Sequence, residues 1–239
     1  MTLLDVFRDL TYGELQGLAI GNLIPDDNES SPDPKDYANV MSHINLGLKE
    51  IYKRLFLSSK EVIIQQYDHI EKYVLDYKYA ASNTLSPEPY KYITDSIYDP
   101  FMDDVLKIEE VFNEGGEKMF LNDSTEPWSV YTPSYRTVQI PFPHNSNSMT
   151  VHYRASHPTL VYTADMDPDE IEIMLPDGLM EALLLYVAHR AYGSLNTDDN
   201  SQGNNYRKLF EASMKQVELL GLQVQPEYSN VRLDKTGWV

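Results

Sequence analysis

Apolar residues recur at helical spacing from the start of the chain. Leu3, Val6, Phe7 and Leu10 lie three or four apart, and Leu15, Leu18 and Ala19 continue the series, so residues 2–22 read as helical. Thr11 and Glu14 stand at capping-box spacing, with Gly13 and Gly17 as weak points, which predicts a break and restart near Thr11. Residues 24–34 are polar and proline-rich and read as a loop. Asp33 is a strong N-cap, Pro34 suits the first helical position, and Asp36 faces the positive helix end. The helix that follows carries the clearest stripe in the chain: Tyr37, Val40, Met41, Ile44, Leu48, Ile51 and Leu55, closing on the basic pair Lys53-Arg54.

From residue 60 the period shortens. Residues 60–68 are strand-like, and 72–79 alternate through Tyr73, Leu75, Tyr77 and Tyr79. Residues 82–100 read as a loop. Residues 105–121 hold a hairpin signal, with Gly115-Gly116 able to take the positive φ angles of a tight turn. A second loop, 122–134, precedes strands at 137–142 and 150–157, whose Pro-His-Asn-Ser-Asn-Ser connection suggests a further hairpin. Residues 60–173 thus read as an antiparallel β region of five or six strands. Helical spacing returns over 179–192, apolar on nearly every face. A polar turn at 196–205 leads to a last helix with Tyr206, Leu209, Phe210, Met214, Val217 and Leu220 on one stripe, stopped by Gly221.

The expected fold is α+β: a four-helix bundle from the N- and C-terminal helix pairs (1–58 and 174–221), an inserted β-rich lobe (59–173) and an extended C-terminal arm (222–239). Val40, Ile44, Leu48, Ile51, Leu183, Val187, Leu209, Phe210 and Val217 are its expected core. In the arm the hydrophobics Leu222, Val224, Tyr228, Val231, Leu233, Trp238 and Val239 are too sparse for a core element.

Charge and composition narrow the function. The chain has 239 residues, 19 Lys+Arg against 37 Asp+Glu, a net charge of −18 and no cysteine. That rules out disulfides, a thiolate nucleophile and Cys-ligated zinc. It also opposes a protein that grips DNA by neutralising phosphates. No apolar run is long enough for a membrane helix, and the first residues lack the basic and apolar regions of a signal peptide. The expectation is a soluble, acidic protein made inside the cell.

Motifs for catalysis are missing. There is no His-Glu-x-x-His, Gly-x-Ser-x-Gly, Walker loop or Gly-x-Gly-x-x-Gly. The six histidines (His43, His69, His144, His152, His157, His189) form no ligand pattern and read as surface or satisfied core residues. Two acidic stretches have calcium-loop spacing at their start, but the one from Asp165 has Glu170 and Pro176 at positions 6 and 12. The one from Asp198 has Gly203 at position 6 but Leu209 where a bidentate glutamate is needed. Neither predicts a site: no enzyme, metal or cofactor is expected. Seven of the 18 tyrosines fall between Tyr67 and Tyr98, suited equally to sheet packing and to a partly wet interface.

The closing helices, Pro176-Asp-Gly-Leu-Met-Glu-Ala-Leu-Leu-Leu-Tyr-Val-Ala-His-Arg-Ala-Tyr192 and Tyr206-Arg-Lys-Leu-Phe-Glu-Ala-Ser-Met, resemble those of the adaptor (head–tail connector) proteins of tailed bacteriophages. The helix over 40–56 leading into a strand resembles the N-terminal half of that family. The resemblance implies a non-enzymatic virion protein in the neck, made in the host cytoplasm and closed into a twelve-fold ring. Its implied partners are further copies of itself, the portal protein and a tail or nozzle protein, with duplex DNA passing through unbound and no membrane. It also implies that the C-terminal arm clasps the portal, with Trp238 as an anchor. Another virion part, such as a tail-completion or baseplate protein, and an acidic hydrolase stay open as other readings of the residues.

Overall fold

A computed structural model describes residues 1–16, 18, 34–98, 100–161, 163, 166–193 and 201–221. Helix α1 (Leu3–Tyr12) starts from a capping box in which Thr2 and Asp5 satisfy each other's backbone N–H groups. The box lies at Thr2, not at Thr11, because the preceding residue there is already helical. Gly13 ends the helix, where any Cβ would meet the Asp9 carbonyl oxygen at 2.6 Å. Helix α2 (Pro34–Arg54) begins at the expected proline. Helix α3 (Met180–Gly193) follows a 3-10 turn, Asp177–Leu179. Helix α4 (Ser201–Leu219) starts before the expected Tyr206, so part of the expected polar turn is helical. The reason is Gly203, which lets the α4 backbone approach α3. A Cβ there would lie 3.2 Å from the Gly193 nitrogen, and the Gly203 carbonyl meets His189 Nδ1 at 2.9 Å. Gly203 is therefore a helix-contact residue, while Asp198 and Asn200 of the second calcium-like stretch lie outside the described residues.

All four helices contribute to one apolar cluster, including Phe7, Val40, Ile44, Leu48, Ile51, Leu183, Val187, Phe210 and Val217. Leu209 does not join them; it is 44% exposed. The buried positions of α4 are Gly203, Phe210, Met214 and Val217, and Leu209 stands about 100° round the helix from Phe210.

Among the described residues seven strands, against the five or six expected, form two antiparallel sheets. They are β1 (Ser59–Gln65), β2 (Lys72–Val74), β3 (Ile93–Thr94), β4 (Val105–Asn113), β5 (Tyr131–Ser134), β6 (Thr137–Gln139) and β7 (Ser148–Ala155). One sheet has the order β3-β1-β7-β4 and the other β2-β6-β5. β3 and β5 thus lie inside stretches expected to be loops. Tyr77–Tyr79 is a 3-10 turn and not strand, because the Asp76 carboxylate accepts from Lys78 N and winds the chain. The hairpin at Gly115-Gly116 does turn, with Gly116 at φ +78°, but its return limb pairs only briefly, as Lys118 with Phe112. β6 and β7, expected to form a hairpin, fall in different sheets. Their connection is drawn over the end of β1, where Asn145 donates to the Asp68 carboxylate from N at 2.7 Å and from Nδ2 at 2.6 Å, and Gln66 Oε1 accepts from His144 N. The sheets enclose a second apolar cluster, including Ile64, Tyr73, Leu75, Ile93, Val111 and Val151.

Candidate assembly surfaces

Two joints hold the elements that would carry an assembly. The first fastens α2 to α4. Arg54 at the end of α2 makes a two-pronged ion pair with Glu211 at 2.6 and 3.0 Å, bonds Glu50 at 2.8 Å, and lies over the Phe210 ring. The hydrogen bond to Glu211 raises the Arg54 pKa, and the same bond lowers that of Glu211. The second joint ties the sheets to the helices. His157, just past β7, is buried; its Nε2 accepts from Met174 N at 3.1 Å and its Nδ1 meets the Pro158 carbonyl at 2.6 Å. One acceptor and one donor fix the neutral ring tautomer. Tyr52 stands edge-on to that ring and donates to the Met174 carbonyl. Burial lowers the pKa of His157 and, with Arg190 beside it, that of His43, whose buried Nδ1 has no hydrogen-bond partner.

Exposed apolar side chains cluster on pinned loops. Leu85 is 93% exposed, Ile97 83% and Tyr98 98%. The loops that carry them are tied together by Asp95, whose carboxylate accepts from Ser82 N at 2.8 Å, Ser82 Oγ at 2.5 Å and Phe101 N at 2.9 Å. Burial opposes ionisation of Asp95, but these bonds outweigh it and hold its pKa below the ordinary value. Trp128 and Phe142, both exposed, form an edge-to-face pair at 5.3 Å near the smaller sheet. Sequence reading included Tyr98 in the tyrosine-rich stretch offered as a possible interface but missed Leu85, Ile97, Trp128 and Phe142. Their only signal is an apolar side chain out of step with either period and set among turn formers.

Of the residues expected to carry function, the arm positions Leu222, Val224, Tyr228, Val231, Leu233, Trp238 and Val239 lie outside the described residues. Among the described residues no three His, Asp or Glu side chains stand where they could hold a metal, and no helix is long and apolar enough to cross a membrane. The first calcium-like stretch includes Asp165, which is also outside them.

No curated protein matches the chain. A family model described as SU10 adaptor protein matches residues 10–233, which takes in the end of α1, all of α2, α3 and α4, both sheets and most of the arm. With that match over nearly its whole length, the chain belongs to the SU10 adaptor protein family and is a structural adaptor protein of a bacteriophage.

Proposed function

We propose that the protein forms the adaptor ring of the virion neck. Copies close head to tail into a cyclic ring, twelve-fold by family likeness, with the portal protein on one side and the tail or nozzle protein on the other. The four helices act as a bundle that forms the wedge of each subunit, the sheets act as the inserted lobe, and residues 222–239 act as the arm that reaches the portal, with Trp238 as anchor. The role needs no catalysis and no cofactor.

The observation that carries this reading is the pair of unlike apolar clusters, one helical and one of strands, joined at His157 and Tyr52. A closed head-to-tail ring needs two different complementary faces on each copy, and two such bodies side by side supply them. The net charge supports a channel role. A subunit at −18 repels the duplex over about a Debye length, ~8 Å at physiological salt, so DNA slides past without adhering.

Negative-stain images of the protein mixed with its portal test the reading. Rings of wedges seated on the portal support it, and particles that stay single at any ratio overturn it. Removing residues 222–239 is expected to abolish docking while the circular-dichroism spectrum is kept; docking that survives removes the arm from the portal interface. Tight duplex binding by the protein at physiological salt would refute the passive channel.

A further inference from the structure

The loop over residues 95–101 is a fixed knob. At its start the Asp95 carboxylate accepts from Phe101 N at its end, and from Ser82 N and Oγ on the neighbouring loop. Phe101 itself is buried in the strand cluster. Between these anchors Ile97 and Tyr98 stand almost wholly in water. A loop already held in one shape loses little freedom when it docks, and apolar side chains grouped on a surface mark a contact. Tyrosine suits such a contact, because its ring gives a large rigid area for two rotatable bonds. Asp99 follows it in the sequence.

A groove of about 410 Å³ on the same chain, between the helices and the strands, fits this knob. Its volume lies in the ~300–1,000 Å³ range of pockets that enclose a small group. Leu46 of α2, Tyr186 of α3 and Leu106 of β4 give its apolar part, and Tyr135, from the turn between β5 and β6, is an exposed aromatic wall. Lys49 and Lys53 stand on the α2 rim, at i+3 and i+7 from Leu46 and so on the same helix face. The acids of the groove are already engaged: Asp104 by Lys60 Nζ and the Tyr153 hydroxyl, Glu50 by Arg54, and Asp103 by Tyr77 N. Among the described residues Lys49 makes no ion pair, and Lys53 reaches only Glu50, at 3.8 Å. The α2 rim thus keeps spare positive charge in a chain of net charge −18.

We infer that the Ile97-Tyr98-Asp99 knob of one copy seats in this groove of a second copy, with Tyr98 on Leu46 and Tyr186 and Asp99 against Lys49. This rests on the ring reading above, since it names a contact between neighbours. Both halves of the match are on the chain: apolar ring to apolar floor, and a spare aspartate to a spare lysine. Tyr98 does not occupy the groove of its own chain, because nearly all of its surface is open. Knob and groove are unlike surfaces, so a copy that inserts its knob keeps its own groove free for a third, which is head-to-tail contact. The groove draws its walls from α2 and α3 on one side and from β4 and the β5–β6 turn on the other. A seated knob therefore also clamps the helices against the strands.

Photo-crosslinking tests the contact. Tyr98→p-benzoylphenylalanine keeps an aromatic ring on the knob and, under near-ultraviolet light, bonds to whatever it touches. Unlabelled and heavy-isotope-labelled full-length chains carrying it are mixed, added to the portal, irradiated and digested for mass spectrometry. The expected products join the knob to peptides holding Leu46 or Tyr186, with labelled-to-unlabelled pairs among them. Lys49 is exposed, so Lys49→Glu leaves the fold intact, as circular dichroism checks. It is expected to cut the crosslink yield at least about fivefold, and Asp99→Lys in the same chain to restore it, because like charges across a contact repel and the swap pairs them again. Crosslinks to the portal or confined to single chains overturn the second copy as occupant. No crosslinks, or a yield indifferent to both charge changes, overturns the groove. Negative stain of the same mixture separates the two readings: rings on the portal without these crosslinks sink the knob alone, whereas single particles without crosslinks sink the ring as well.

Discussion

At the scale of the residue, one buried and one half-buried histidine make the fold sensitive to acid. His157 and His43 both have pKa values below the ordinary 6.5 in the folded chain, chiefly through burial. As pH falls, the unfolded chain takes up these protons first, so their contribution is fully present above about pH 6.5 and drains away below it. The urea midpoint is expected to fall between pH 7 and pH 5, before the carboxylates titrate; an unchanged midpoint over that range contradicts the assignment. Gly203 makes a second prediction. Its missing Cβ is what admits the Gly193 backbone, so Gly203→Val should lose about 1–3 kcal/mol by overpacking, read as a lower urea midpoint with an unchanged m value. Asp95 makes a third. Asp95→Ala removes three hydrogen bonds that tie two loops, and chymotrypsin is expected to cut after Tyr98 several-fold faster than in the parent.

At the scale of the element, the contact between α2 and α4 rests on a partly exposed ion pair. Arg54→Ala should cost only about 1 kcal/mol, and its coupling to Glu211→Ala in a double-mutant cycle should shrink in high salt; a coupling well above that range would mean a drier joint than the exposure of these groups allows. The stripe of α2 and the apolar run of α3 were legible because each writes its burial into one continuous stretch of chain. The division into two sheets was not. Whether β6 pairs with β7 depends on Asp68 and Gln66, some 80 residues away from the connection they capture. Tyr77-Lys78-Tyr79 alternates like a strand, yet the preceding Asp76 bends it; alternation over three residues carries too little information to overrule a cap. Leu209 fails for the same kind of reason, since a stripe widened by one residue turns through about 100° and leaves the core. Apart from Tyr98, which closes the tyrosine-rich stretch, the exposed apolar residues of the candidate surfaces could not be read from the sequence. Ile97 and Tyr98 are the same residue types that fill the core, and only the position of the loop, pinned by Asp95, separates them.

For the whole molecule, charge sets the terms on which copies would meet in the proposed ring. Subunits at −18 repel one another, and raising the ionic strength from 0.01 to 0.15 M shortens the reach of that repulsion from ~30 to ~8 Å. Assembly, followed by sedimentation velocity, is expected to grow stronger over that range; weakening instead would mean that complementary ion pairs dominate the contact. The helical cluster has a further consequence because its pieces lie at opposite ends of the chain. Met1 O accepts from Ile173 N, and Leu3 N donates to Ile171 O, so residues 1–3 are stitched to residues made much later. During translation, α1 and α2 leave the ribosome first but wait for α3. At about 5–20 residues per second, the interval is roughly ten seconds. The seven described strands emerge within it, and the sheets can close on themselves while the apolar side of α2 is still bare to solvent. A nascent-chain chaperone would thus meet the oldest helices last to fold, and a pause near residue 180 would prolong that meeting.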